Sequence, residues 1–139
     1  MMDSGSLPSE FLEKDDIEIY VEGDAIEALT EYVLEEFGSD LRTTHDDDGF
    51  RILETEATKV LIQFPSGDCT CCWIRGPARW KTSAELARAF GAKRGGKILC
   101  DPGLDYPEIH PLSDGFLQIQ NGIETIVNLA DFDPPPENI

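Results

Sequence analysis

FRILETEATKVLIQFPSGDCTCCWIR, residues 50–75, holds three β-prone runs in succession. Phe50 to Thr55 and Lys59 to Phe64 are rich in branched and aromatic side chains and are joined through Glu56, Ala57 and Thr58, so they read as two antiparallel strands. Pro65, Ser66, Gly67 and Asp68 form a dense turn signal, and Cys69 to Arg75 supplies a third strand. Three consecutive strands with short links predict a meander, which makes the centre of the chain an antiparallel sheet rather than a set of strand-helix-strand units.

Upstream, Ile17, Ile19 and Val21 alternate with Glu18, Tyr20 and Glu22, the period of a strand with one buried face. After Gly23, Asp24 and Glu27 have the spacing of a reciprocal helix cap, and Ile26, Leu29, Val33 and Phe37 recur at helical spacing up to Gly38. Residues 39–49, with three aspartates in a row, read as a connection containing a turn. Downstream, Gly76 and Pro77 break the third strand of the meander. Thr82 and Glu85 form a second capping box, for a helix reaching Phe90 or Ala92. Ile98 to Cys100 is a short strand, a loop runs through Pro111, and Phe116 to Gln120, Asn121-Gly122 and Ile123 to Val127 match a tight hairpin. The expected fold is α+β, a mainly antiparallel sheet with two helices packed against it. The expected division is a loose arm over 1–16, one domain over 17–132 and an exposed Pro-rich tail over 133–139.

With 139 residues the chain has the size of one domain, and its formal net charge is -17. The charge is concentrated at the front: residues 1–60 carry 18 Asp or Glu against 4 Lys or Arg, net -14, whereas residues 61–139 carry 10 against 7, net -3. Such a field repels phosphate backbones and anionic membranes and steers basic partners inward. A basic protein partner is therefore expected, and direct nucleic-acid binding is disfavoured. The exception to test is the stretch from Arg75 to Lys97, where Arg75, Arg79, Lys81, Arg88, Lys93, Arg94 and Lys97 face one acid, Glu85, and either contact phosphate or pair with the acidic half of the chain. No secretory signal and no membrane span are legible, which points to a cytoplasmic protein with reduced thiols.

Chemistry-bearing groups are sparse. In a strand, Cys69, Cys71 and Trp73 share one face and Thr70, Cys72 and Ile74 the other, so at most two of the three clustered thiols can converge on one metal without a bulge, and Trp73 is expected to face the core. His45 and His110 are expected in loops, and neither Asp46–Asp48 nor the group Asp101, Asp105 and Glu108 has the spacing of a calcium loop. No phosphate loop or nucleophile motif is present. Hence no catalytic residue, metal or cofactor is assigned, and a small enzyme or metal-binding domain built on the Cys and His residues is a secondary alternative.

The favoured reading is a protein-binding module presenting Glu27, Glu31, Glu35, Glu36, Asp40, Asp46, Asp47 and Asp48 to a basic partner, with Trp80 as a candidate surface anchor whose alternative is packing at the start of the second helix. In size and charge the chain resembles the cytoplasmic immunity proteins that neutralise bacterial nuclease toxins by covering a basic active site. The other alternative is a nucleic-acid mimic that blocks a DNA- or RNA-binding protein.

Overall fold

A computed structural model describes residues 16–102 and 115–128. The elements, in chain order, are β1 (Ile17–Glu22), α1 (Ile26–Phe37), β2 (Arg42–Asp47), β3 (Phe50–Glu54), β4 (Lys59–Ser66), β5 (Cys69–Arg75), α2 (Ser83–Arg94), β6 (Lys97–Cys100), β7 (Gly115–Gln120) and β8 (Ile123–Asn128). A one-turn 3₁₀ helix, Gly38–Asp40, links α1 to β2. The fold is α+β. The described strands form one antiparallel sheet of order β2-β3-β4-β5-β1-β6-β7-β8, so the first strand lies in the middle and the meander is added on one side of it.

Both helices cover the same face of the sheet. α1 packs over β4, and α2 packs over β1, β6 and β7. The alternating patterns explain this: Ile17, Ile19 and Val21 of β1, Val60 and Ile62 of β4, Cys72 and Ile74 of β5, and Ile98 and Cys100 of β6 all point to the helices and are buried. They meet Leu29, Tyr32 and Val33 of α1 and Ala84, Leu86, Ala87 and Phe90 of α2 in one core. At α2 the expected cap forms, with the Glu85 N–H donating to Thr82 Oγ1 at 3.1 Å, while the Glu85 carboxylate reaches back to the Lys81 N–H at 2.8 Å. The helix then continues four residues beyond Phe90, with Lys93 and Arg94 in its last turn, where cations favour the helix dipole.

Three expectations are corrected. Residues 39–49 are not merely a connection: Arg42–Asp47 is an edge strand, carrying His45, and it turns through Asp48-Gly49 into β3. Its six side chains are all exposed. An edge strand with no buried face has no apolar alternation to betray it. The box between Asp24 and Glu27 does not close, because Asp24 accepts only from the Ile26 N–H at 3.3 Å and Glu27 is drawn to Arg51 instead. Trp73 lies on the face of the sheet opposite the helices, half-buried, with the Arg75 guanidinium 4.7 Å above its ring. The division of the thiols is as expected, with Cys72 buried and Cys69 and Cys71 half-buried on the other face. The proposed tail over 133–139, residues 1–15 of the proposed arm, and Asp105, Glu108 and His110 lie outside the described residues.

Candidate functional site: an acidic cleft beside helix α1

Two local devices fix where α1 begins. Thr70, fully buried on β5, donates through its hydroxyl to the Gly23 carbonyl at 2.6 Å and accepts from the Ala25 N–H at 2.7 Å. The Gly23 N–H in turn donates to the Asp68 carbonyl at 2.8 Å. These bonds hold the β1–α1 turn against the start of β5 and place Asp24 and Glu27 at the positive end of α1, where carboxylates are stabilised.

The β2–β3 turn is fixed equally tightly. The Phe64 N–H donates to the Gly49 carbonyl at 2.9 Å. Gly49 has φ +80°, and a Cβ there would stand 2.5 Å from the Phe64 carbonyl oxygen, so only glycine fits. Asp46, Asp47 and Asp48 are thereby carried to the same end of the sheet as the start of α1.

Between the two lies a cleft of about 720 Å³, lined by Asp24, Ile26, Glu27, Asp46, Asp47, Asp48, Gly49, Arg51, Phe64 and Pro65. Five carboxylates and one guanidinium line it, and the Phe64-Pro65 peptide on its wall is cis. Arg51 occupies the helix-facing side of β3, where its side chain is 15% exposed. It donates to Glu27 Oε2 at 3.0 Å, Asp46 Oδ1 at 3.2 Å and Thr30 Oγ1 at 2.9 Å, and Thr30 passes a bond on to the Ile26 carbonyl at 2.7 Å. The hydrogen bond that Glu27 accepts is the main reason that the guanidinium is held above its ordinary pKa. One cation against five carboxylates leaves a strongly negative mouth. Asp47 lies at that mouth, 2.8 Å from His45 Nε2.

The remaining predicted acids have a different fate. Glu31, Glu35 and Glu36 run along α1 beside α2 and face cations of α2 and of the segment before it: Arg94 reaches Glu31 at 3.2 Å and Glu35 at 3.1 Å, Lys93 lies 3.7 Å from both Glu35 and Glu36, and Arg79, ahead of α2, pairs with Glu36. Asp40 is exposed on the 3₁₀ turn and is not among the lining residues of the cleft. The basic stretch is correspondingly occupied, since Arg75 pairs with Asp16, Arg88 with Glu124 and Lys97 with Glu22. Pairing with the acidic half of the chain is therefore what Arg75, Arg79, Lys93, Arg94 and Lys97 do, whereas Arg88 pairs within the second half.

Trp80 is not on the surface. It is 6% exposed, stacked on Tyr32 at 5.8 Å between ring centroids and edge-on to Phe37 at 5.9 Å. Tyr32 in turn meets the edge of Phe90 at 5.4 Å. The indole follows a turn and precedes a helix cap, as anticipated, but it fills the gap between the two helices.

Arg51 and Asp24 are the residues that sequence reasoning missed. Arg51 shares its strand face with buried Leu53, and one charged side chain at a core-facing position is the available signal. Burial disfavours the thiolate form of the cysteines. Burial, reinforced by Glu18, pushes Cys71 up to about 12, and burial likewise pushes Cys100 up to about 12. Among the described residues no three His, Cys, Asp or Glu side chains are grouped so as to hold a metal ion, so the carboxylates of the cleft line its walls instead of converging on a point. Such a lining suits an extended, multiply donating cation such as a guanidinium or an ammonium. Among the described residues no helix is long and apolar enough to cross a membrane. Comparisons with protein-family models, with curated proteins and with solved structures find no match for the chain.

Proposed function

We propose that the chain is a protein-binding module whose acidic cleft receives one or more Arg or Lys side chains of a basic protein partner, in the manner of an immunity-type protein that covers a basic surface. The observation that carries this reading is the convergence of Asp24, Glu27, Asp46, Asp47 and Asp48 around one cleft that contains a single cation, Arg51. Apolar contact is available beside the charges from Ile26, Phe64 and Pro65, which suits the aliphatic stem of a long cationic side chain. The surrounding field, net -14 over residues 1–60, steers such a partner toward this end of the sheet.

The paired state of Glu31, Glu35 and Glu36 favours this reading over nucleic-acid mimicry, which needs uncompensated carboxylates in rows over a long surface. The test begins with capture of a partner from the native host and its purification. Binding is then measured over a range of ionic strengths. Asp47→Lys combined with Asp48→Lys is expected to weaken binding at least about tenfold, mainly through a slower association rate, whereas Glu31→Lys is expected to change it less than about threefold. A partner whose affinity ignores both salt and the cleft reversals would remove the proposal. A partner displaced by duplex DNA and equally sensitive to Glu31→Lys would favour mimicry.

A further inference from the structure

The closed end of the β7–β8 hairpin consists of Asn121 and Gly122, both exposed, since Gln120 pairs with Ile123. Of the three asparagines in the chain only Asn121 precedes a glycine, whereas Asn128 precedes Leu129 and Asn138 precedes Ile139. The distinction is chemical. An asparagine amide is attacked by the backbone nitrogen of the residue that follows it, and glycine alone leaves that nitrogen without a side chain beside it.

The backbone supplies a second observation. Asn121 is the one non-glycine with positive φ among the described residues, at 56°, and Gly122 has φ 78°. Two positive values define the I′ turn, whose first central residue has ψ of about +30°. The II′ turn keeps that residue's φ at about +60° and differs by a flip of the central peptide, which takes its ψ to about −120° and the next φ to about −80°. Glycine adopts both signs of φ readily, so the Asn121–Gly122 peptide flips while the flanking strands stay in register. In the flipped form of an L residue the following nitrogen eclipses Cβ. The Gly122 nitrogen then lies on the same side as the Asn121 amide, where a five-membered ring closes. The turn at Asp48-Gly49 is a contrast: the Phe64 N–H holds its glycine carbonyl at 2.9 Å, and its side chain is a carboxylate, a poor electrophile.

We propose that Asn121 is a site of spontaneous covalent modification, at which the chain's own backbone converts the side-chain amide to a succinimide that water opens to aspartate or isoaspartate. The Gly122 N–H gives its proton to hydroxide and its nitrogen bonds to Asn121 Cγ. The Cγ–Nδ2 bond breaks, and Nδ2 takes a proton from water and leaves as ammonia. Water then opens the ring at one of its two carbonyls. Breaking the bond from nitrogen to Cγ gives aspartate on the ordinary backbone. Breaking the bond from nitrogen to the main-chain carbonyl carbon gives isoaspartate, in which the chain runs through Cβ and Cγ and is one carbon longer. Water is the only reactant consumed. Aspartate before glycine suits the same turn, whereas the added carbon does not fit a two-residue connection whose length sets the strand register. Isoaspartate therefore loosens β8, whose Ile126 packs against the core, and leaves the acidic cleft, near the opposite edge of the sheet, as it is.

Peptide mapping by mass spectrometry tests this on the full folded chain, incubated in mildly alkaline and in mildly acidic buffer. The mass gain of an amide-to-acid exchange is expected in the peptide carrying Asn121 and not in those carrying Asn128 or Asn138. It is expected to be at least about tenfold faster in the alkaline buffer, because loss of the Gly122 proton precedes attack. The isoaspartate and aspartate forms, equal in mass, are separated by chromatography. Asn121→Gly, which suits positive φ, is expected to show no gain. Hydrogen exchange of the β8 amides is expected to rise at least about tenfold in the isoaspartate form and to match the parent in Asn121→Asp. A folded chain that keeps its amide while the same chain unfolded in urea loses it would overturn the proposal, since the turn would then be locked. So would modification at Asn128 ahead of Asn121, a gain that persists in Asn121→Gly, or an isoaspartate form whose β8 exchange equals the parent's.

Discussion

The two flanks of helix α1 carry similar acids with opposite outcomes. On the flank facing α2, Tyr32, Phe37, Trp80 and Phe90 fill the space between the helices, and the acids above them, Glu31, Glu35 and Glu36, close over the seam as counterions for Arg79, Lys93 and Arg94. On the flank facing the β2–β3 turn Phe64 is the one aromatic side chain among the described residues lining the gap, and Glu27, Asp46, Asp47 and Asp48 are left around an open cleft with Arg51. Acidic residues become a surface ladder where apolar packing brings cations alongside, and a binding surface where packing leaves space. Composition alone does not separate the two.

The largest effect expected from breaking this contrast is at the seam. Trp80→Ala removes the ring that joins Tyr32 and Phe37, and urea denaturation is expected to show a loss of about 3–5 kcal/mol. The charge ladder should loosen with it, so the variant is also expected to lose most of its remaining salt dependence of stability.

Arg51→Met is next, and it attacks the other flank. The substitution keeps an apolar stem but removes the bonds to Glu27, Asp46 and Thr30. Because Glu27 and Asp46 are well exposed and can turn to water, the expected cost is about 1–2 kcal/mol, below that of breaking a fully buried pair. The cleft becomes more negative at the same time. Binding of a basic partner by titration calorimetry is expected to tighten severalfold while stability falls, a divergence that a purely structural arginine would not produce.

Alkaline pH provides a third test, read at the seam side through Cys100. Cys100, buried beneath α2 on β6, is pushed up to about 12 mainly by burial, and Tyr32 is raised from its ordinary value chiefly for the same reason. A group whose folded pKa lies above its unfolded one stabilises the fold below the unfolded pKa and loses that contribution as pH rises toward the folded value. For Cys100 the window runs from about 9, the ordinary thiol value, to about 12. Stability measured in urea is expected to fall by about 1 kcal/mol between pH 8 and pH 10 on account of this thiol, and Cys100→Ala should flatten that slope.

The smallest effect expected is Glu31→Gln. Its side chain is well exposed, and its ion pair with Arg94 is worth less than about 0.5 kcal/mol, vanishing in about 0.5 M salt. A loss above about 1.5 kcal/mol would mean that the ladder holds the helices together and does not merely cap the seam.

Most of the fold was legible because most elements have one buried face. The meander, β1, both helices and the final hairpin each carry a period of two or about 3.6, or a turn whose chemistry is local. β2 was not legible for the same reason inverted: RTTHDD has no face in the core, and pairing with β3 is what makes it a strand. Trp73 was read onto the wrong side, and for Trp80 the packing alternative holds and the surface anchor does not, because a tryptophan's position along the chain does not say which surface its neighbours leave open.

The acids of the candidate site were visible as residues but not as a site. The sequence by itself determined the α+β class, the alternation that buries one face of each central strand, the turn at Asn121-Gly122 and the concentration of negative charge in the front half, since each depends on residues a few positions apart. Only the tertiary structure decided which acids meet cations and which surround a cleft. Arg51 finds Glu27 across 24 positions, Arg79 finds Glu36 across 43 and Arg94 finds Glu31 across 63, and such separations are closed by the order of strands in the sheet and by the helices packing on one side of it. Charge itself is long-ranged and indifferent to register, so it names no partner until backbone pairing and apolar packing have brought particular side chains within hydrogen-bond reach.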